Sequence, residues 1–370
     1  MKRSFIREIL EHTNNNTISF AGGLPDQSLF PTADLQQSAN RVLKHNATLQ
    51  YTKSTGIDSL KEKIAQFYCD EGFPTKPDNI MITSGSQQAL DIISRYNNNK
   101  TITIESPSYL GAINIFNLNN IKQKSIILED DGINLKGFKS SIKDTKFSYL
   151  IPDFQNPTGK TYSKEKREQI ATMIKENDAI LIEDSPYSEL YFDTKNTMIS
   201  STIPNNSFHL GSFSKTLAPS LRIGWIRASE ELLEPLISYK EAMDLHTNGL
   251  SQYIVDDYLN DMDKYKRHLE VIREQYKIKM LIFKEQLDHY LPTFEYCEPK
   301  GGMFIYGKLP NINTTSLIRE CIKHEVIFVP GSEFYSDDSV IDEIRFNYTH
   351  TSIQDIKKGL AKIAKILKTF

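Results

Sequence analysis

The sequence predicts an α/β protein whose large domain holds a mostly parallel, seven-stranded sheet flanked by helices, joined to a smaller α+β domain. Three observations predict it. Short runs rich in apolar and β-branched residues recur at 80–83, 101–104, 125–128, 148–151, 179–182, 208–212 and 224–227, with helical or loop segments between them. These runs are apolar on both faces and do not alternate, the pattern of strands covered on each side by helices. Finally, Tyr265, Leu269, Ile272, Tyr276, Met280, Phe283 and Leu287 repeat at three- and four-residue steps with Lys, Arg and Glu between them, which marks one long amphipathic helix.

Along the chain, residues 1–45 read as an N-terminal arm that joins the smaller domain, 46–260 as the large domain, and 261–370 as the bridging helix and the rest of the small domain. The small domain takes its strands from pieces at 303–306, 326–329 and 344–347. At 370 residues the chain exceeds what one core usually fills, which agrees with two domains. The N-terminus begins with Lys2 and Arg3 but runs on into Glu8, Glu11 and His12 without the apolar core of a signal peptide. No run is long and apolar enough to cross a membrane.

A formal charge of −3 lacks the basic surface that a general grip on nucleic acid or anionic membrane requires, so the expected partner is a small molecule. Cys69, Cys297 and Cys321 lie far apart, with no metal-ligand spacing, and read as reduced thiols of a cytoplasmic protein that holds no metal.

The most informative segment is Leu210-Gly211-Ser212-Phe213-Ser214-Lys215, with Arg222 and Gly224 close behind. A lysine by itself is usually a solvated charge. Placed just after a buried strand, it stands where open α/β sheets build their sites. A phosphate loop is excluded, because the positions that would need glycine hold Ser214 and Leu210. The Ser-x-x-Lys of penicillin-binding enzymes also fits Ser212 to Lys215, but its companion motifs are absent. The remaining reading is a lysine that forms a Schiff base, with Ser212 and Arg222 close enough to hold a phosphate.

Such chemistry needs a carboxylate to keep a cofactor ring nitrogen protonated. Asp184 ends the run 179–182, and Tyr187 follows three residues later. Taken singly, Asp184 reads more readily as a cap or turn residue. Asn156-Pro157-Thr158-Gly159 is a turn by composition, and Ser84-Gly85-Ser86-Gln87 leads a strand into a helix N-terminus, where free N–H groups attract phosphate. Tyr109 follows the run 101–104 and can stack on a flat ring or simply pack.

Taken in order, these pieces, together with Phe20-Ala21-Gly22-Gly23-Leu24-Pro25, Tyr51 to Gly56, Lys300-Gly301-Gly302-Met303-Phe304 and Arg345, resemble the fold-type I, class I/II pyridoxal-phosphate (PLP) dependent aminotransferases over nearly the whole chain. The resemblance implies pyridoxal 5'-phosphate as cofactor, bound to Lys215 as an internal aldimine. Lys215 would also shuttle the reaction's proton. Asp184 would face the ring nitrogen, Tyr187 and Asn156 the phenolic oxygen, and Tyr109 the ring face. Ser86, Gln87, Ser212, Ser214 and Arg222 would hold the phosphate, joined by Tyr51 from a neighbouring subunit, so a homodimer with shared sites is implied. Arg345 would grip the substrate α-carboxylate, with Gly23 and Asn156 beside it.

The Ser212 to Lys215 segment and the Gly-Gly-Leu-Pro arm look most like the 2-aminoadipate and aromatic aminotransferase branch, which shares its fold with the effector domains of MocR-type regulators. About twenty residues precede Phe20, too few for the DNA-binding domain of those regulators. Ser4 and Arg7, in the arm, are candidates to face the substrate side chain. The implied reaction is ping-pong transfer of an amino group from an L-amino acid to a 2-oxo acid such as 2-oxoglutarate. Two other readings keep the fold: a carbon–sulfur lyase or related elimination enzyme, and a non-catalytic sensor of PLP or amino acids.

Overall fold

A computed structural model of the protein describes residues 14, 16–335 and 340–370. After β1 (Ile18–Ser19), the central sheet is built from β2 (Ile80–Thr83), β3 (Thr101–Ser106), β4 (Lys122–Glu129), β5 (Gly132–Ile133), β6 (Phe147–Leu150), β7 (Ile180–Asp184), β8 (Ser207–Ser212) and β9 (Gly224–Arg227). Their spatial order is β2-β9-β8-β7-β6-β3-β4-β5. The five strands from β8 to β4 run parallel, whereas β9 is antiparallel to both its neighbours.

The sheet thus has eight strands rather than the seven read from the sequence. The extra one, β5, is a two-residue edge strand, too short to carry any hydrophobic period, that pairs antiparallel with the end of β4. β4 also begins earlier than expected, at Lys122-Gln123-Lys124. It stands beside the short edge strand, and its outward residues meet solvent, so polar side chains are tolerated there.

Both faces are covered, as the unbroken apolar runs require. Along β6 and β7 successive residues alternate between two apolar clusters. Tyr149 and Ile182 pack with residues of the helices Ser86–Tyr96 and Leu110–Leu118, while Leu150 and Leu181 pack with the helices Leu135–Thr145 and Lys164–Glu176. Leu181 and Phe208 have no solvent exposure, and burying a side chain of that size contributes about 1.5–3 kcal/mol.

The predicted amphipathic helix spans Met262–Tyr290 and buries Tyr265, Leu269, Ile272, Tyr276, Met280, Phe283 and Leu287, the stripe read from the sequence. After it come β10 (Glu295–Tyr296), β11 (Phe304–Lys308), β12 (Val326–Ile327), β13 (Val329–Pro330) and β14 (Glu343–Asn347). Four of these form a second sheet in the order β10-β11-β14-β13, and β12 instead takes β1 as a parallel partner, tying the N-terminal segment to the C-terminal one. Among the described residues, no helix is long and apolar enough to cross a membrane.

Candidate active site

Strand direction explains why residues far apart in sequence meet. The parallel strands β3, β6, β7 and β8 all end at one edge of the sheet, so the segments carrying Tyr109, Asn156, Asp184 and Lys215 emerge side by side. β9 runs the other way and pairs Gly224 with Ser212, which brings Arg222, just before it, to that same edge. β2 in turn pairs Thr83 with Gly224, so the turn Ser84-Gly85-Ser86 joins them.

Asp184 closes β7 and is almost wholly buried, 2% exposed. Tyr149 Oη donates a 2.7 Å hydrogen bond to Asp184 Oδ2, whereas Oδ1 is buried without a partner among the described residues. Burial pushes the carboxyl up to about 7, and the bond from Tyr149 pulls it partly back. Tyr149 was not singled out in the sequence. Its one signal was a phenol inside an apolar strand, where the hydroxyl must find a partner.

Lys215 Nζ donates to the carbonyl of Gly23 at 2.8 Å, which brings the strand-end lysine against the Gly-Gly-Leu-Pro arm. Burial pushes its ammonium down to about 8, and the nearby Arg222 and Arg345 cations push the same way.

Beside Lys215, Ser212 Oγ donates to Ser214 Oγ at 3.0 Å and accepts from Ser214 N at 3.1 Å, which folds the loop into a tight hydroxyl-lined turn. Arg222, in a left-handed conformation, donates to the carbonyl of Ser84 at 2.9 Å. Its guanidinium covers Gly85, where an added Cβ would come within 2.7 Å of Arg222 Nη2 and where φ is +80°. Gly224 packs equally close, with 2.8 Å between its would-be Cβ and Gly85 Cα. Only glycine serves at both places, and the backbone N–H groups that start the helix Ser86–Tyr96 stay open. Ser86 Oγ there is buried without a partner among the described residues.

Arg345, on β14, is 2% exposed. It donates to Asn156 Oδ1 at 2.8 Å and to the Ala21 carbonyl, while its Nε is buried without a partner among the described residues. The guanidinium lies over the Phe304 ring, 4.4 Å from its centroid. Burial pushes Arg345 down to about 10, so it stays charged at neutral pH. Asn156 also donates to Tyr187 Oη at 3.4 Å, and Tyr187 is itself raised, mainly by burial. Tyr109 Oη donates to Gln87 Oε1 at 3.3 Å.

The structure therefore brings together Lys215 with Gly23, Asn156 with Tyr187 and Arg345, Tyr109 with Gln87, and Ser212 with Ser214. Tyr51 stands apart, 78% exposed, with its ring edge-on to His246 at 5.6 Å. Ser4 and Arg7 lie outside the described residues.

The free groups match the chemistry of PLP. A protonated ring nitrogen calls for a buried carboxylate oxygen with no other partner, which Asp184 Oδ1 provides. A phosphate calls for hydroxyls, backbone N–H groups and a cation, which Ser86, the helix N-terminus and Arg222 provide.

Known proteins show which family the chain is in. The family model for aminotransferase class I and II matches residues 16–363. A 2-aminoadipate transaminase of Thermus thermophilus is 32% identical, over 100% of this chain and 94% of its own. Aromatic-amino-acid aminotransferase 1 of Thermococcus litoralis is 33% identical, over 100% and 92%. Among solved structures, an alpha-aminoadipate aminotransferase from Thermus thermophilus, complexed with N-(5'-phosphopyridoxyl)-L-leucine, superposes with a TM-score of 0.92 at 31% identity, covering 100% of this chain and 95% of that one. The fold, the strand-end constellation and these relatives together make the chain a member of the aminotransferase class I and II family, a PLP-dependent aminotransferase of fold type I.

Proposed function

We propose that Lys215 is the amine that carries the cofactor, and that the enzyme moves an amino group from an L-amino acid to a 2-oxo acid, 2-oxoglutarate being the acceptor. The observation that supports this reading best is the unpartnered, buried Asp184 Oδ1 at the sheet edge that also presents Lys215. Bound PLP supplies an aldehyde that takes up amines and a ring that accepts electrons. Asp184 Oδ1 would hold a proton on the ring nitrogen. Lys215 Nζ, depressed to about 8, keeps an uncharged fraction at neutral pH and so can act as nucleophile and then as proton carrier. Asn156 Nδ2 and Tyr187 Oη would face the phenolic oxygen, Tyr109 would stack on the ring, and Ser86, Gln87, Ser212, Ser214 and Arg222 would hold the phosphate.

In this reading, Arg345 offers its guanidinium to the substrate α-carboxylate, with Gly23 and Asn156 beside it. Being already fixed by Asn156 and Ala21, it loses little freedom on binding. Ser4 and Arg7 remain candidates for the side-chain end of the substrate. The donor's identity follows from a screen of aromatic, branched and dicarboxylic amino acids with 2-oxoglutarate. Glutamate should form in step with loss of one donor class. Ammonia or thiol released from a cysteine conjugate without any oxo acid would favour elimination instead. In the same assay Arg345→Ala should raise the donor KM by about a hundred-fold, as expected when one partner of a buried charge contact is removed. An unchanged KM would remove Arg345 from the substrate site.

We also assign residues 1–45 and 261–370 to the small domain and 46–260 to the large one. A homodimer is part of the proposal, with Tyr51 reaching the partner's phosphate site. Leu43, Leu49, Tyr51, Met243 and Leu245 are all exposed, an apolar set that a second copy would cover. Sedimentation at the mass of one chain would overturn it. The three thiols are unpaired, which suits a cytoplasmic location.

A further inference from the structure

Glu105 has no part in the contacts described so far, yet it is fully buried near the end of β3. Three donors converge on it. Ile151 N at 3.2 Å and Tyr162 Oη at 2.7 Å bind Oε1, and Gln155 Nε2 at 3.1 Å binds Oε2. The amide of Gln155 can point only one way, because its neighbours are backbone groups of fixed sense. Its Nε2 also donates to the Pro107 carbonyl at 2.9 Å, and its Oε1 accepts from Thr158 N at 2.9 Å and from Thr158 Oγ1 at 2.8 Å. The Glu105–Gln155 pair thus ties together the end of β6, both sides of the Asn156–Pro157 peptide, and the loop two residues before Tyr109.

We propose that Glu105 is a positioning residue for this enzyme: acting through Gln155, it sets where Asn156 stands against Arg345 and Tyr187, and where Tyr109 stands in its loop. The inference rests on the reading of Asn156 and Arg345 given above. Burying a carboxylate opposes folding, and an apolar side chain of similar volume is often no less stable at such a place. Burial pushes Glu105 up to about 8, and the bonds from Tyr162, Gln155 and Ile151 hold it back. The benefit of the carboxyl lies in geometry. Asn156 must satisfy a cation on one side and a phenol on the other, and a small displacement of such a group lowers activity steeply.

The hydrogen-bond pattern supplies a selective test. In Glu105→Gln the new amide keeps its oxygen on Ile151 N–H and Tyr162, so its NH2 must face the NH2 of Gln155. Donor then meets donor, and only the link to Gln155 is lost. In the swapped pair, Glu105→Gln with Gln155→Glu, the amide at 105 donates to the carboxyl at 155, which still accepts from Thr158 and, protonated on the oxygen that faces Pro107, donates to that carbonyl as Gln155 does. With the PLP-loaded enzyme, Glu105→Gln should raise the donor KM about ten-fold or more, change kcat less, and shift the pH midpoint of the visible cofactor band. The swap should recover most of the KM and most of the midpoint.

An unchanged KM and midpoint in folded Glu105→Gln would overturn the proposal. So would losses that follow melting temperature alone and are not recovered by the swap. If the single variant does not fold, a folded swap with a wild-type KM supports the proposal and one with a raised KM sinks it. Failure of Arg345→Ala to change KM would fault the underlying site reading. A normal Arg345→Ala effect with an inert Glu105→Gln would fault Glu105 alone.

Discussion

Replacing Lys215 with alanine is expected to abolish covalent attachment of the cofactor and to lower turnover by about a thousand-fold or more, because nucleophile and proton carrier are lost together. The fold should persist. Among the described residues Lys215 makes one hydrogen bond, to a Gly23 carbonyl that is only partly buried, so its loss should cost about 1 kcal/mol. Borohydride reduction followed by mass spectrometry tests the first part: the wild-type chain should retain the reduced cofactor and Lys215→Ala should not. A variant that still traps cofactor covalently would mean that another lysine is the attachment point.

The second large effect is expected at Asp184, and it should change sign with cofactor loading. In the cofactor-free protein, burial lifts the native carboxyl to about 7 from an ordinary 3.8, so the unfolded chain ionises first as pH rises. The stability that Asp184 contributes is therefore fully present below pH 4 and declines until the native carboxyl itself ionises near 7, a loss on the order of 4 kcal/mol if the whole displacement is realised. Asp184→Asn avoids that loss and can still accept from Tyr149 through its amide oxygen. Cofactor-free Asp184→Asn should thus unfold at higher urea than wild type at pH 8, with the gap closing towards pH 5. Once loaded, the variant lacks the charge facing the ring nitrogen, and kcat should fall roughly 100- to 1,000-fold. Equal urea midpoints at both pH values would show that the Asp184 carboxyl is not raised in the native state.

The Asp184 expectation depends on Tyr149, which the sequence did not single out. Asp184 was legible because it ends an apolar run in a Glu-Asp-Ser-Pro-Tyr string, but its partner sits 35 residues earlier in another strand. Glu105 and Gln155 escaped notice for a similar reason. Each lies next to a residue that was chosen, Glu105 in the segment leading to Tyr109 and Gln155 just before Asn156, and neither has a local pattern that distinguishes a buried clamp from an ordinary polar residue.

The sequence by itself determined the strand runs, the long amphipathic helix and the residue types that stand at the ends of those runs, since hydrophobic period and turn chemistry are local properties. The strand order, the antiparallel insertion of β9 between β2 and β8, and the small edge strand β5 belong to the tertiary structure. So do the meeting of Arg345 with Asn156 across 189 residues, the free oxygen of Asp184 and the hold of Glu105 on Gln155. Hydrogen-bond pairing and burial depend on which segments the folded sheet sets side by side, and no local stretch of chain encodes that.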